Sequence, residues 1–225
     1  MIIWSLFNMS YYLTRKDKIV EFLCRKKAFM LRKLKGNVLE VGIGEGLLSK
    51  ELVKLPITLS ACEPELSLIE YSKNLYWQTY NCKIEDLVTT DKFDYIILSD
   101  VLEHVENPIL CLQKCKTLLK ENGKIYIFVP NANSYNRLIG VQIGMLQKHT
   151  DLNEGDIVCG HKRVYTRNSL KNDIWRSRLR LKYIRTFFLK TQANNQMQDI
   201  SEEMMEALFK VKTGNNGAEF VVICQ

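Results

Sequence analysis

Short apolar runs alternate with stretches of helical periodicity along the first 130 residues, the pattern of strand–helix–strand units on a parallel sheet. The runs Asn37–Val41, Ile57–Glu63, Tyr80–Ile84, Tyr95–Leu98 and Lys124–Val129 predict five strands. Ahead of the first, Ile19, Val20, Phe22, Leu23, Phe29, Met30 and Leu34 recur against a polar face and predict a helix over Arg15–Leu34. Pro108 suits the first turn of a helix over Ile109–Lys120, and Glu121-Asn122-Gly123 is expected to end it with Gly123 in the left-handed region. Beyond Pro130 the periodicity becomes patchy and Asn, Gly and Asp accumulate through Thr166, which predicts an insertion over the C-terminal edge of the sheet. Leu181–Leu189 and Ala218–Cys224 read as two more strands, separated by a helix near Glu202–Lys210. The expected architecture is α/β: a doubly wound, mainly parallel sheet of seven strands, helices on both faces, and the insertion after strand five. We expect one domain over residues 1–225, with 1–35 as an N-terminal lid or packing helix and 131–170 as a cap.

Composition narrows the classes. Apolar residues at 46% and charged residues at 25% are ordinary globular values. The net charge of +7 attracts an anionic partner such as a nucleotide, a phosphorylated sugar or nucleic acid, or is simply a solvated basic surface. Basic residues gather at Lys162, Arg163 and Arg167 and at Arg176, Arg178, Arg180, Lys182 and Arg185. The interleaved Tyr183, Phe187 and Phe188 suit a buried strand better than a base-stacking platform, which argues against nucleic acid. The seven cysteines are odd in number and contain no C-x-x-C pair, so a zinc cage or disulfide framework is not expected and the reduced cytoplasm is the natural compartment. The apolar stretch Met1–Phe7 lacks the flanks of a signal peptide and falls short of the roughly 20 residues that span a bilayer.

The chemistry begins at Val38-Leu39-Glu40-Val41-Gly42-Ile43-Gly44-Glu45-Gly46, where an apolar strand runs into three alternating glycines. Glycines at such a turn let the backbone press against a nucleotide cofactor. A triphosphate loop needs Lys-Ser or Lys-Thr after its glycines, and this one ends Gly46-Leu47-Leu48. A dinucleotide loop spaces its glycines G-x-G-x-x-G, which demotes an NAD-dependent oxidoreductase to a rival reading. Glu63, closing the second strand, is placed to accept hydrogen bonds from both hydroxyls of a ribose.

Two further motifs follow in order, Ile84-Glu85-Asp86-Leu87 and the run from Phe93-Asp94 to Leu102-Glu103-His104-Val105. With the glycine loop, they resemble the Rossmann-like (class I) methyltransferases that use S-adenosylmethionine (SAM), in the small-molecule group of ubiquinone-pathway and surface-polysaccharide-associated enzymes. The resemblance covers Val38 to Asn133 closely. It implies that Glu40, Gly42, Gly44 and Gly46 line the methionine end of SAM and that Glu63 holds its ribose. Ile84 and Glu85 would flank the adenine, with Ser99 and Asp100 beside the sulfonium. Two positions depart from the pattern: Lys83 stands where relatives carry an acid for the adenine amino group, and Ser177-Arg178-Leu179 replaces a small-Gly-Phe turn.

Methyl transfer from a sulfonium is an in-line displacement in which alignment supplies much of the acceleration. A hydroxyl acceptor also needs a base, and the histidines are His104, His149 and His161. The resemblance points to His161 as that base, or else as a structural histidine, and Asp100 completes the catalytic pair. It also implies an acceptor pocket formed by Asn131, Arg137, His161, Arg163 and Tyr165. Related enzymes carry E-x-x-E-H as a magnesium or manganese site. Here that alternative would use Asp100, Glu103 and His104 on one helical face, while no metal is the favoured expectation. The segment Pro130–Gly140 resembles enzymes of surface-polysaccharide precursors, which suggests O-methylation of a small anionic acceptor such as a nucleotide-linked sugar or a phosphoramidate-type capsule precursor. A SAM-binding partner subunit without turnover is the second rival, and both monomer and homodimer remain open.

Overall fold

The computed structural model describes residues 17–225, so residues 1–16 of the lid or packing helix expected over 1–35, with the start of the predicted helix, lie outside the described residues. Asp17 caps helix α1 (Lys18–Leu31) by accepting from the Ile19 and Val20 amides. Strands β1 (Gly36–Val41), β2 (Ile57–Cys62), β3 (Gln78–Tyr80), β4 (Phe93–Ser99) and β5 (Leu119–Pro130) run parallel. Helices α2 (Leu47–Leu52), α3 (Leu66–Ser72) and α4 (Pro108–Leu118) connect them. The insertion carries α5 (Tyr135–Gln142) and α6 (Glu154–Val158), and α7 (Arg167–Arg176), β6 (Leu181–Phe187), α8 (Glu202–Lys210) and β7 (Glu219–Cys224) complete the described chain. The strand order is β3-β2-β1-β4-β5-β7-β6, with β7 antiparallel to both of its neighbours.

The alternation of side chains along each strand builds two cores. Leu39, Val41, Ile96, Leu98, Ile125, Ile127 and Val129 point to one face, where Leu112 and Cys115 of α4 and Leu170 and Ile174 of α7 cover them. Val38, Ile97 and Phe128 point to the other, against Phe22 and Leu31 of α1, Leu52 of α2 and Met205 of α8. Each such side chain contributes about 1.5–3 kcal/mol on leaving water, which is what holds both helix layers to the sheet. Burial on both faces also explains why the central strands read as continuous apolar runs.

Three expectations change. The third strand is Gln78–Tyr80, not Tyr80–Ile84: Ile84–Asp86 forms a 3-10 turn that sends Ile84 into the core. Leu119 already begins β5, so Glu121-Asn122-Gly123 lies in the strand. Gly123 is not left-handed there; a Cβ on it would lie 3.0 Å from the Phe93 carbonyl oxygen, so close strand approach selects the glycine. Third, residues 101–107 are turns, so Asp100, Glu103 and His104 do not share a helical face.

Arg178 explains the departure at Ser177-Arg178-Leu179. It sits at φ +59°, the left-handed conformation that follows a helix and favours glycine, and Leu179 is buried where relatives place an aromatic residue. The strand still starts at Leu181 as predicted. Arg178→Gly relieves the side-chain clash and should raise unfolding stability by about 1 kcal/mol, measured by urea denaturation.

Candidate active site

The sheet changes winding direction between β1 and β4, and ligands of open α/β sheets bind outside the strand ends at such a point. Gly42, Gly44 and Gly46 turn the chain there, all with positive φ. A Cβ on Gly42 would meet Val101 Cγ2 at 2.7 Å, so that glycine lets the turns after β1 and β4 touch. A Cβ on Gly44 would meet nothing within 4 Å, so the loop faces open space. Beside it the Glu63 carboxylate accepts from the Ile43 and Glu65 amides, both at 3.0 Å, and burial raises its pKa. Ile84 is buried and Glu85 and Ser99 are half-buried around the same strand ends.

Glu40 is almost fully buried beneath the loop and accepts from Ser49 Oγ at 2.7 Å and Tyr76 OH at 3.4 Å. Its carboxylate fixes the start of α2 from below. Burial, only partly offset by those two bonds, pushes its pKa to about 7.

Asp100 is committed elsewhere than expected. Its φ of +56° turns the carboxylate toward Lys27 Nζ at 2.5 Å, and Ser99 Oγ donates to the same oxygen at 2.9 Å. The Lys27 side chain is 2% exposed and also pairs with Glu219 at 2.9 Å. Desolvation opposes the lysine's charge, but Asp100 and Glu219 outweigh it and hold Lys27 protonated. Asp100 is therefore the counter-ion of a buried cation, not a free catalytic carboxylate.

The ligand-like cluster that does form is Glu103, His104 and His161, one donor atom from each lying within 4.8 Å of the others. The two imidazoles meet edge to face, with ring centroids 4.7 Å apart. Both Glu103 carboxylate oxygens are buried without a hydrogen-bond partner, and burial, with Asp100 adding to it, raises this pKa well above the usual carboxylate range. Burial and then His161 push His104 down to about 4, so at neutral pH it offers a lone pair. Asp156 Oδ1 lies 3.1 Å from His161 Nδ1. Burial works against its charge, yet bonds from His161, the Asn153 amide and Arg137 together hold Asp156 at about 2. With Nδ1–H given to that carboxylate, Nε2 of His161 is the free donor. His161 thus replaces Asp100 in the metal-capable set, and a buried, unpaired carboxylate beside two imidazoles is a donor set that suits a divalent cation.

The remaining predicted acceptor residues serve the frame. Arg137 donates from Nε to the His149 carbonyl, from Nη1 to Asp156 at 2.8 Å and from Nη2 to the Asp151 carbonyl, which leaves none of its nitrogens unpaired. Arg163 clamps the Glu103 turn through the carbonyls of Leu102, Val105 and Glu106, and the Lys162 amide bonds the Glu103 carbonyl at 2.8 Å. Asn131 ties the carbonyls of Asn215 and Gly217, and Tyr165 is buried against Asp173. Arg137 and Arg163, expected in the acceptor pocket, are both bonded within the fold. Sequence reading missed Lys27, Asp156 and Glu219, since a lone lysine in a helix and acids in loops carry no local signal.

The sheet order, with an antiparallel last strand between β5 and β6, and the open glycine turn above Glu63 define the Rossmann-like class of SAM-dependent methyltransferases. Solved structures share the fold: a SAM-dependent methyltransferase from Thermotoga maritima, described as a possible histamine N-methyltransferase, aligns with a TM-score of 0.65 at 19% identity, over 90% of this chain and 88% of that one. A 1,6-didemethyltoxoflavin-N1-methyltransferase from Burkholderia thailandensis aligns with a TM-score of 0.63 at 13% identity, over 99% and 86%. A family model described as a methyltransferase domain matches residues 14–181, more than half of the chain, and the chain belongs to that family. The ubiquinone biosynthesis O-methyltransferase of Coxiella burnetii is 36% identical over 108 residues, 44% of this chain and 46% of its own length. The chain therefore spans about half the length of the curated relatives it matches. No helix among the described residues is long and apolar enough to cross a membrane.

Two measurements probe the donor half. Gly44→Ala adds a methyl to empty space at φ +50°, so it should cost the protein about 1 kcal/mol of stability but weaken SAM binding at least roughly tenfold in calorimetric titration. Glu40 provides the pH test. Its folded pKa is raised from 4.5 to about 7, so stability is fullest below about 4.5 and declines as pH rises through about 7. Glu40→Gln should remove on the order of 2 kcal/mol of that decline, read from denaturation curves between pH 5 and 8.

Proposed function

We propose that the chain transfers a methyl group from SAM to a hydroxyl oxygen of a small organic acceptor, with Glu103, His104 and His161 holding a divalent cation at the reaction centre. The observation that carries this reading is the unpaired, fully buried Glu103 carboxylate beside two imidazoles, on the same strand-end edge as the glycine loop. When bound, SAM supplies an electrophilic methyl carbon on a sulfonium. A cation in the cluster supplies a Lewis acid that favours the alkoxide or phenolate form of an acceptor hydroxyl. Glu63 would take the ribose hydroxyls, and Gly42 and Gly44 would let the donor lie against the backbone. Asp156 orients His161, and Arg163 holds the Glu103 turn against the His161 segment. An oxygen acceptor is supported by the O-methyltransferase named among the relatives, which matches across about half its length.

A second reading keeps His161 as a general base without a metal. It is favoured by the Asp156–His161 bond, which would orient the imidazole and stabilise its protonated form. In this second reading His161 Nε2 takes the acceptor's proton, whereas in the first Nε2 would be occupied as a ligand and the proton would pass to solvent.

Purified protein, labelled SAM and a panel of small phenols and alcohols test the proposal. The expected result is labelled product that falls about 10²-fold or more in EDTA or in Glu103→Ala and returns with magnesium or manganese. Full turnover in EDTA with loss in His161→Ala would leave the base reading standing. SAM binding without any methylated product would instead support a partner subunit, and binding of NADH in place of SAM would remove the methyltransferase reading altogether.

A further inference from the structure

A second cleft of about 340 Å³ opens between the loop after β5, the loop before β7 and the start of α7. Asn133, His149, Arg167, Asn215 and Phe220 line it, and none of them belongs to the donor loop or to the cation cluster. No acidic side chain lines this cleft.

Arg167 distinguishes the cleft. Its guanidinium lies over the Phe220 ring at 5.8 Å, its Nη1 makes only a long 3.5 Å bond to the Ile184 carbonyl, and its Nε is buried without an acceptor. The contrast with its neighbours in the chain is sharp: Arg137 has all three nitrogens bonded within the fold, and Arg163 is spent on three carbonyls. Arg167 also opens α7, a ten-residue helix whose first amides have no carbonyl to bond within the helix. The Thr166–Ser169 capping box satisfies the Ser169 amide and leaves those of Arg167 and Asn168 outside it. A planar guanidinium with unfilled donors, fixed on an aromatic face beside a helix start, is suited to a carboxylate or phosphate.

We propose that this cleft binds a small anionic group, a carboxylate or a phosphate, with Arg167 as its principal cation and His149 and the start of α7 as supporting donors. The cleft is linked to the cation cluster by bonds already described: the His149 carbonyl accepts from Arg137, Arg137 holds Asp156, and Asp156 bonds His161. The anion has two sources, an anionic group on the methyl acceptor itself or a separate free ion. Only the first rests on the methyl-transfer reading.

Calorimetric titration of the purified full chain with inorganic phosphate and, separately, with benzoate tests the site. Arg167→Met keeps the stem over Phe220 and removes the charge. Saturable binding of one of the two anions by the unaltered protein, weakened at least tenfold in Arg167→Met with SAM affinity retained, is the expected result. Should Arg167→Met fail to fold, Asn215→Asp places a negative charge in the same cleft and is expected to weaken anion binding likewise. If the anion belongs to the acceptor, Arg167→Met raises the acceptor KM with little change in kcat, and phosphate competes with acceptor. If it is a free ion, phosphate binds without competing and the acceptor KM is unchanged. Absence of saturable binding of both anions, or equal binding by the unaltered protein and the variant, overturns the proposal. SAM binding is measured independently in the same samples, so loss of the methyltransferase reading is recognised separately.

Discussion

A lysine with almost no exposed surface ties helix α1 to the two strand ends that flank the site. Lys27 reaches from α1 across the sheet edge to Asp100, just beyond β4, and to Glu219 at the start of β7. Removing Lys27 and Glu219 from water is costly, and the arrangement holds because the cation lies between Glu219 and the half-exposed Asp100 and over the Phe128 ring. Truncating Lys27 would leave Glu219 buried without its cation, so α1, β4 and β7 are constrained together. The left-handed turn at Asp100, and with it the path of the chain toward Glu103, is anchored by this contact.

Around that anchor the edge divides into two kinds of surface. On one side the surface is mostly backbone: glycines without side chains, an open space above Gly44, and the Glu63 carboxylate bonded by two amides. On the other side the devices are side chains drawn from distant parts of the chain. The insertion matters because it supplies His161 and the Asp156 that orients it, and because Arg137 stitches the insertion's helices to that pair. Arginines that read from sequence as ligands are structural clamps, and their saturation is what makes Arg167 stand out.

The donor half was legible because its parts are local. Gly42, Gly44 and Gly46 sit within one strand–turn–helix unit, and Glu63 closes the adjacent strand, so spacing alone places them near one another. The helix over Glu202–Lys210 and the last strands were equally readable from periodicity. Tyr80–Ile84 misled because Tyr80, Cys82 and Ile84 alternate with Asn81 and Lys83 as in a half-buried strand, whereas Ile84 is buried by opening a 3-10 turn. Gly123 misled because a glycine after a helix reads as a cap, whereas here the crowding is between neighbouring strands.

By itself the sequence determined the sheet, the glycine turn and the carboxylate beside it, since strand pairing follows apolar periodicity and a turn follows its own residues. Only the tertiary structure decided which charged and polar groups are free to act. Asp100 lost its expected role to a lysine distant in sequence, and His161 gained partners in Glu103 and His104 from a separate loop. The reason is physical: desolvation and hydrogen-bond satisfaction belong to three-dimensional neighbours, and linear spacing does not encode whether a carboxylate or guanidinium will already be paired when the chain is folded.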